Sequence, residues 1–213
     1  MNLDSLRKSS KNRVYREICE NTQIIIPDSI GVTTLIFLKY LKRVIRLTGN
    51  EKFEILLDIA DSKKLSIALI GASEEVLAKT KSKIAENYQN LKIVSAVSPP
   101  FDFEKEKEVN DRIVESVRSA HPDILFVALG CPKQEIWIAE NMHSIGANIN
   151  IGLGAVFDFY SGEKSRAPSI MQKAGLEWVW RLFSEPKRLF KRYLIEGAGY
   201  YIYSIFRITF GKY

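Results

Sequence analysis

Along the chain, short and almost wholly apolar runs alternate with longer stretches in which apolar residues recur at helical spacing. The runs Gln23–Ile26, Ser66–Ile70, Lys92–Ala96, Ile124–Leu129 and Asn148–Leu153 read as strands. They consist largely of Ile, Leu, Val and Ala, the composition of strands covered on both faces, as in parallel sheets. Helical patterns fall between them at Thr34–Ile45, Lys52–Ala60, Glu74–Tyr88, Glu106–Ser119 and Pro132–Met142. In the Glu106–Ser119 stretch, Val109, Ile113 and Val117 recur every four residues and leave the other faces charged. This alternation predicts an α/β fold, an open and mostly parallel Rossmann-like sheet with helices on both faces. Pro99-Pro100 marks a loop, because neither residue can donate to a ladder or continue a helix.

Beyond about Gly162 the pattern changes, and proline, arginine and tryptophan become frequent. The sequence therefore predicts an α/β core at 1–162 and a basic, aromatic helical appendage at 163–213. Charge sharpens this division. The whole chain carries 31 Lys+Arg against 25 Asp+Glu, yet Lys164–Tyr213 alone holds 10 basic and 3 acidic residues, so the excess lies at that end. Two cysteines, Cys19 and Cys131, make no disulfide framework and suit a reducing compartment. The opening MNLDSLRKSSKN lacks the apolar core of a secretory signal, and Gly197–Phe206 is too short to span a bilayer. The expectation is a cytoplasmic protein that is free to work at a membrane surface.

In an open parallel sheet the strand carboxyl ends share one edge, where ligands bind. Loops containing Asp28, Gly71, Gly130 to Glu135 and Gly154 follow the predicted strands, so these distant residues are expected at that edge. Glycine there admits a close ligand, or simply ends a strand. Asp28 is the best carboxylate for a general base, and the plainer role for it is a helix N-cap. Lys133 could offset a diphosphate, and Gln134 offers both donor and acceptor to a sugar or base. The plainer reading of this block is Pro132 at a helix start with polar first-turn residues. His121 and His143 are not at ligand spacing, and Cys131 has no histidine partner, so neither a metal site nor a thiol nucleophile is expected.

Three blocks in order, DILFVALGCPKQE with Trp137, IGLGAVFDFYSGEKSRAP and GLEWVWRLFSEPKRLFKRY, resemble the WecG/TagA/CpsF family of bacterial glycosyltransferases. The resemblance implies an inverting hexosyltransferase that moves N-acetylmannosamine or a related hexose from a UDP-sugar to a polyprenyl-diphosphate-linked sugar. The product would serve cell-envelope polysaccharide synthesis, whether teichoic acid, capsule or exopolysaccharide. It implies Asp28 as base and a substrate-binding set of Asn2, Gly71, Gly130, Pro132, Lys133, Gln134, Glu135, Gly154, Arg166, Arg181 and Arg188. No metal or other cofactor is implied, since the UDP-sugar is a substrate. The basic appendage, Arg181 to Arg192, would close the site and touch the inner leaflet of the cytoplasmic membrane. Nucleic acid is not an expected partner, and homo-oligomerisation is left open.

Two departures accompany the resemblance. Asp28 is followed by Ser29 where the family has glycine, and the family's first strand and its Thr-x-Asn threonine have no counterpart ahead of Met1-Asn2. The second departure motivates an alternative expectation: a catalytically silent sugar-nucleotide-binding or scaffold subunit.

Overall fold

A computed structural model describes residues 1–211, apart from the side chain of Lys173. The chain groups into two compact units. A sheet unit spans Gly49–Ser165, and a terminal unit joins Met1–Thr48 to the chain from Arg166 onward. The first 48 residues, grouped with the α/β core on sequence, thus pack with the C-terminal segment.

The terminal unit begins with α1 (Leu3–Lys11), α2 (Arg13–Asn21) and α3 (Ile30–Tyr40). Asn2, Asn12 and Ser29 cap them, each accepting a backbone N–H of the first turn. Gln23–Ile26, expected as a strand, joins no sheet, and Gln23 is a bend. The reason lies in its neighbours. The Ile26 carbonyl accepts from the Met1 amine, and just past the run the Asp28 N–H donates to the Met1 carbonyl and the Leu47 N–H donates to the Pro27 carbonyl, so this stretch is bonded to chain distant in sequence rather than to a sheet. The helix expected at Thr34–Ile45 starts earlier, behind the Ser29 cap, and stops at Tyr40, where Leu41 turns left-handed at φ 54°.

The sheet unit runs α4 (Gly49–Ser62), β1 (Ser66–Gly71), α5 (Glu74–Asn87), β2 (Lys92–Val97), a 3₁₀ turn (Phe103–Lys105), α6 (Lys107–Ser119), β3 (Ile124–Ala128), α7 (Lys133–Ile145), β4 (Ile149–Gly152) and α8 (Val156–Ser161). Its four strands are all parallel in the order β2-β1-β3-β4, the open α/β architecture expected from the sequence. Strand alternation splits the core between the two faces. Ile67, Leu69, Ile124 and Phe126 face Phe53 and Leu57 of α4, Val76, Leu77 and Ile84 of α5, and Val156 and Phe157 of α8. Ala68, Ile70, Leu125 and Val127 face Ile113, Val114 and Val117 of α6 and Trp137 and Ile145 of α7. Trp137 lies on the second face fully buried, and its indole N–H donates to Asn110 Oδ1 at 2.7 Å. Burying such an indole without a partner would cost the fold roughly 1–3 kcal/mol.

The terminal unit resumes with α9 (Ser169–Lys173), α10 (Glu177–Ser184), α11 (Pro186–Phe190), a π-helical turn (Lys191–Gly197) and α12 (Ala198–Phe210). Pro186 opens α11, as the run Ser184-Glu185-Pro186 leads one to expect. α1 is tied to the π-helical turn by charge. The Asp4 carboxylate, only 6% exposed, lies 2.8 Å from Arg7, 3.1 Å from Lys8 and 2.9 Å from Arg192, and Arg7 also reaches Glu196 at 2.6 Å.

Burial alone pushes the Asp4 carboxyl up, but Arg7, Arg192 and Lys8 together outweigh it and hold the group below its ordinary value of 3.8. A carboxyl depressed in the folded state contributes stability above its unfolded pKa and loses it as pH falls through the folded one. Stability is therefore expected to fall with acid below about pH 4. Asp4→Asn should lower the unfolding midpoint at neutral pH and flatten that acid dependence. Urea unfolding followed at several pH values tests this, and an unchanged acid slope in Asp4→Asn would contradict it.

Candidate functional site

The carboxyl edge of the sheet is assembled from four turns within the sheet unit. After β1, Gly71 adopts φ +114°, and a Cβ placed there would lie 2.5 Å from the Ala128 carbonyl oxygen at the end of β3. Any side chain would push β1 and β3 apart, so glycine is required by space as well as by backbone angle. Ala72 follows at φ 61°, and its carbonyl accepts from Ser98 Oγ at 2.8 Å, joining the β1 and β2 turns.

On the other side of the edge, one side chain joins two turns. Gln134 lies in the first turn of α7 and is 4% exposed. Its Oε1 accepts from the Gly130 N–H at 3.2 Å and from the Gly154 N–H at 2.8 Å. Its Nε2 donates to Glu135 Oε1 at 2.9 Å. Gly152 makes the room: a Cβ there would stand 2.6 Å from Gln134 Nε2. Gly130 and Gly154 are glycine for a different reason, since both are left-handed, at φ +81° and +64°, with open space where a Cβ would be. The sequence placed Gln134 at the ligand edge with both polar ends available. It sits at that edge, with its oxygen already serving two backbone amides.

Lys133 is likewise engaged. Its Nζ lies 2.8 Å from Asp102 Oδ1 and 2.7 Å from Glu104 Oε1, with the Phe101 ring 5.1 Å away. Burial lowers the affinity of this amine for its proton, but the two carboxylates outweigh burial and raise its pKa. Asp102 in turn is held below the ordinary carboxylate range by Lys105 first and Lys133 second. Charge on Lys133 is thus balanced inside the sheet unit. A diphosphate at Lys133 would share the amine with those carboxylates. Asp102 and Glu104 escaped the sequence reading because they precede Lys133 by about thirty residues, in a loop with no motif of its own. Nothing in the sequence connects Gly152 to Gln134, eighteen residues earlier.

Other candidates lie in the terminal unit. Asp28 is half-buried and stands one residue ahead of the cap of α3, a role that Ser29 fills. Its N–H bonds the carbonyl of Met1 at 2.8 Å, so the backbone of Asp28 is held beside that of Asn2. Asn2 spends its Oδ1 on the Ser5 N–H and Ser5 hydroxyl. Arg166 and Arg181 are half-buried, and Arg188 is exposed and paired with Glu185. Among the described residues, no group of three or more His, Cys, Asp or Glu side chains converges.

The sequence profile described as the glycosyl transferase WecG/TagA/CpsF family matches residues 1–212. Relatives include the N-acetylglucosaminyldiphosphoundecaprenol N-acetyl-beta-D-mannosaminyltransferase of Bacillus subtilis, 37% identical over 180 residues that cover 84% of this chain and 67% of the relative. The protein of the same description from Bacillus spizizenii is 34% identical over 181 residues, covering 85% of this chain and 68% of that relative.

Removing the amide that joins the two turns should loosen both at once. Gln134→Ala would leave two backbone N–H groups without their acceptor, at a cost of about 2 kcal/mol in stability. Urea denaturation checks the effect. An unfolding midpoint equal to that of the parent would show that this tie carries no stability.

Proposed function

The chain belongs to the WecG/TagA/CpsF glycosyltransferase family, and from that premise we propose that it transfers N-acetylmannosamine from a UDP-sugar to N-acetylglucosaminyl-diphospho-undecaprenol. The observation that carries this reading is the likeness to mannosaminyltransferases over 84% of the chain. In the reaction, the acceptor hydroxyl oxygen attacks the anomeric carbon as the bond to UDP breaks, and the configuration inverts. Asp28 takes the hydroxyl proton, and UDP departs with the bonding electrons. The geometry supports this role for Asp28 in one respect. The competing assignment, a helix cap, belongs to Ser29.

Gly71, Gly130, Pro132, Lys133, Gln134, Glu135 and Gly154 line or brace the sheet edge proposed to hold the donor. The start of the 13-residue helix α7 lies at this edge, and a helix N-terminus favours negative charge such as a diphosphate. Asn2, Arg166, Arg181 and Arg188 are proposed to complete substrate binding. We propose that no resident metal or cofactor takes part.

A lipid-linked acceptor keeps its reactive sugar at a bilayer, so the protein is proposed to work on the inner face of the cytoplasmic membrane. Lys187, Arg188 and Lys191 are exposed, and Trp178 and Phe206 are 43% and 61% exposed, a mixture suited to headgroups. Arg192 contributes less to such a surface, because its guanidinium is committed to Asp4. Among the described residues no helix is long and apolar enough to cross a membrane.

Asp28→Asn should lower turnover by about two to four orders of magnitude, the usual worth of a general base, with the fold and UDP binding retained. The assay is transfer of labelled N-acetylmannosamine to the lipid-linked acceptor, run with and without a chelator, which should make no difference. Near-parental turnover in Asp28→Asn would remove it as the base. UDP binding without turnover in the parent chain would favour a silent nucleotide-binding subunit.

A further inference from the structure

Within the terminal unit, Phe37 through Ile45 are all exposed, nine residues in succession. Six are apolar, namely Phe37, Leu38, Tyr40, Leu41, Val44 and Ile45, and the other three are Lys39, Lys42 and Arg43. Leu41 and Ile45 are each 79% exposed, and Tyr40 is 58% exposed. From Ser29 to Asn50 the sequence contains no acidic residue. Single exposed leucines need no explanation, but a continuous apolar stretch bristling with cations does.

The stretch is held in place from both sides. Before it, Val32 and Leu35 of α3 are buried, and Gly31 packs against Tyr201 of α12 and Leu3 of α1. After it, Arg46 donates to the Gln172 carbonyl at 3.1 Å, and the Leu47 N–H bonds the Pro27 carbonyl. Leu41, at φ 54°, occupies a backbone region that a leucine enters at a cost, and it does so with its side chain outward. Its N–H closes α3 on the Phe37 carbonyl at 2.8 Å, which offsets that cost and turns the chain so that the leucine side chain stands in solvent, where an apolar partner outside the chain can meet it.

We infer that Phe37–Ile45 is a second membrane-contact segment, seating Leu41, Val44 and Ile45 at the headgroup boundary of an anionic bilayer while Lys39, Lys42 and Arg43 meet lipid phosphates. The inference rests on the membrane-bound reading of the acceptor and adds an element of the N-terminal half of the chain to it. Charge decides the occupant. A second copy of this face would bring like cations together, which opposes a two-fold contact. An anionic lipid surface matches both components, because long basic side chains lay their stems along apolar surface and keep their heads at the phosphates. At 11 residues α3 is too short to cross a bilayer, so the segment lies on the membrane.

The test uses the full chain with vesicles of phosphatidylcholine alone or mixed with phosphatidylglycerol, read by cosedimentation. Lys42→Gln/Arg43→Gln should weaken partitioning to the anionic vesicles about 30-fold, each basic residue near such a surface being worth roughly fivefold. Leu41→Asn/Ile45→Asn should weaken it at low and high salt alike. Asparagine tolerates the left-handed backbone at position 41, and neither side chain is buried, so thermal unfolding midpoints should stay at the parental value. Lys187→Gln/Lys191→Gln serves as the separate control on the C-terminal cluster. If both segment variants partition like the parent while this control falls away, the inference is overturned and the membrane reading of the C-terminal cluster stands. If no form binds either vesicle, both fall. Sedimentation without vesicles that depends on protein concentration and disappears in Leu41→Asn/Ile45→Asn would replace the bilayer with a second copy.

Discussion

The carboxyl edge of the sheet depends on one amide. Gln134 Oε1 accepts from the backbone of Gly130 and of Gly154, residues that follow different strands, and so fixes the spacing of two turns with a single group. Three glycines answer to that arrangement in different ways. Gly152 leaves room for the glutamine, while Gly130 and Gly154 take the left-handed angles that bring their N–H groups to its oxygen. On the far side Gly71 answers to another contact, the close passage of β1 beside the Ala128 carbonyl. The edge is thus shaped by backbone proximity at Gly71 and Gly152, where a Cβ would collide, and by left-handed backbone at Gly130 and Gly154, where space is open.

Two charge clusters in this protein are balanced internally. Lys133 is balanced by Asp102 and Glu104, and Asp4 gathers Arg7, Lys8 and Arg192 around one buried carboxylate. An anionic ligand drawing on Lys133 would meet a group that already has partners. Exchange of partners, with one ion pair opening as another closes, would then be part of binding. Such exchange costs less than exposing a bare charge, because each group remains hydrogen-bonded throughout.

The parallel sheet was legible because β1 and β3 are unbroken apolar runs and the helices between carry regular apolar spacing. Helix ends were less so. α3 stops at Tyr40 although apolar residues continue to Ile45, since the left-handed turn at Leu41 leaves no mark in composition. Gln23–Ile26 has the residues of a strand, but pairing is decided by neighbours distant in sequence, and Met1 and Leu47 supply them. For the candidate site, the sequence singles out Asp28 and Gly130 to Glu135, where turn chemistry and family likeness coincide. What Gln134 and Lys133 touch was not legible, because a hydrogen bond to Gly154 or an ion pair with Asp102 leaves no local pattern.

The ion cluster at Asp4 also bears on how the chain comes to be built. Arg192 meets Asp4 across nearly the whole sequence, and the unit they share is interrupted by the continuous Gly49–Ser165 unit. During synthesis the continuous unit has all its residues while the C-terminal segment is still unmade, so its sheet can close first. The first 48 residues have no such option. Their partners emerge last, and until then α1 carries a carboxylate whose most distant cation does not yet exist. The ribosome's vectorial order therefore makes the opening helices the last part of the molecule to settle, and a nascent chain arrested before Arg192 holds a finished sheet beside unfinished termini.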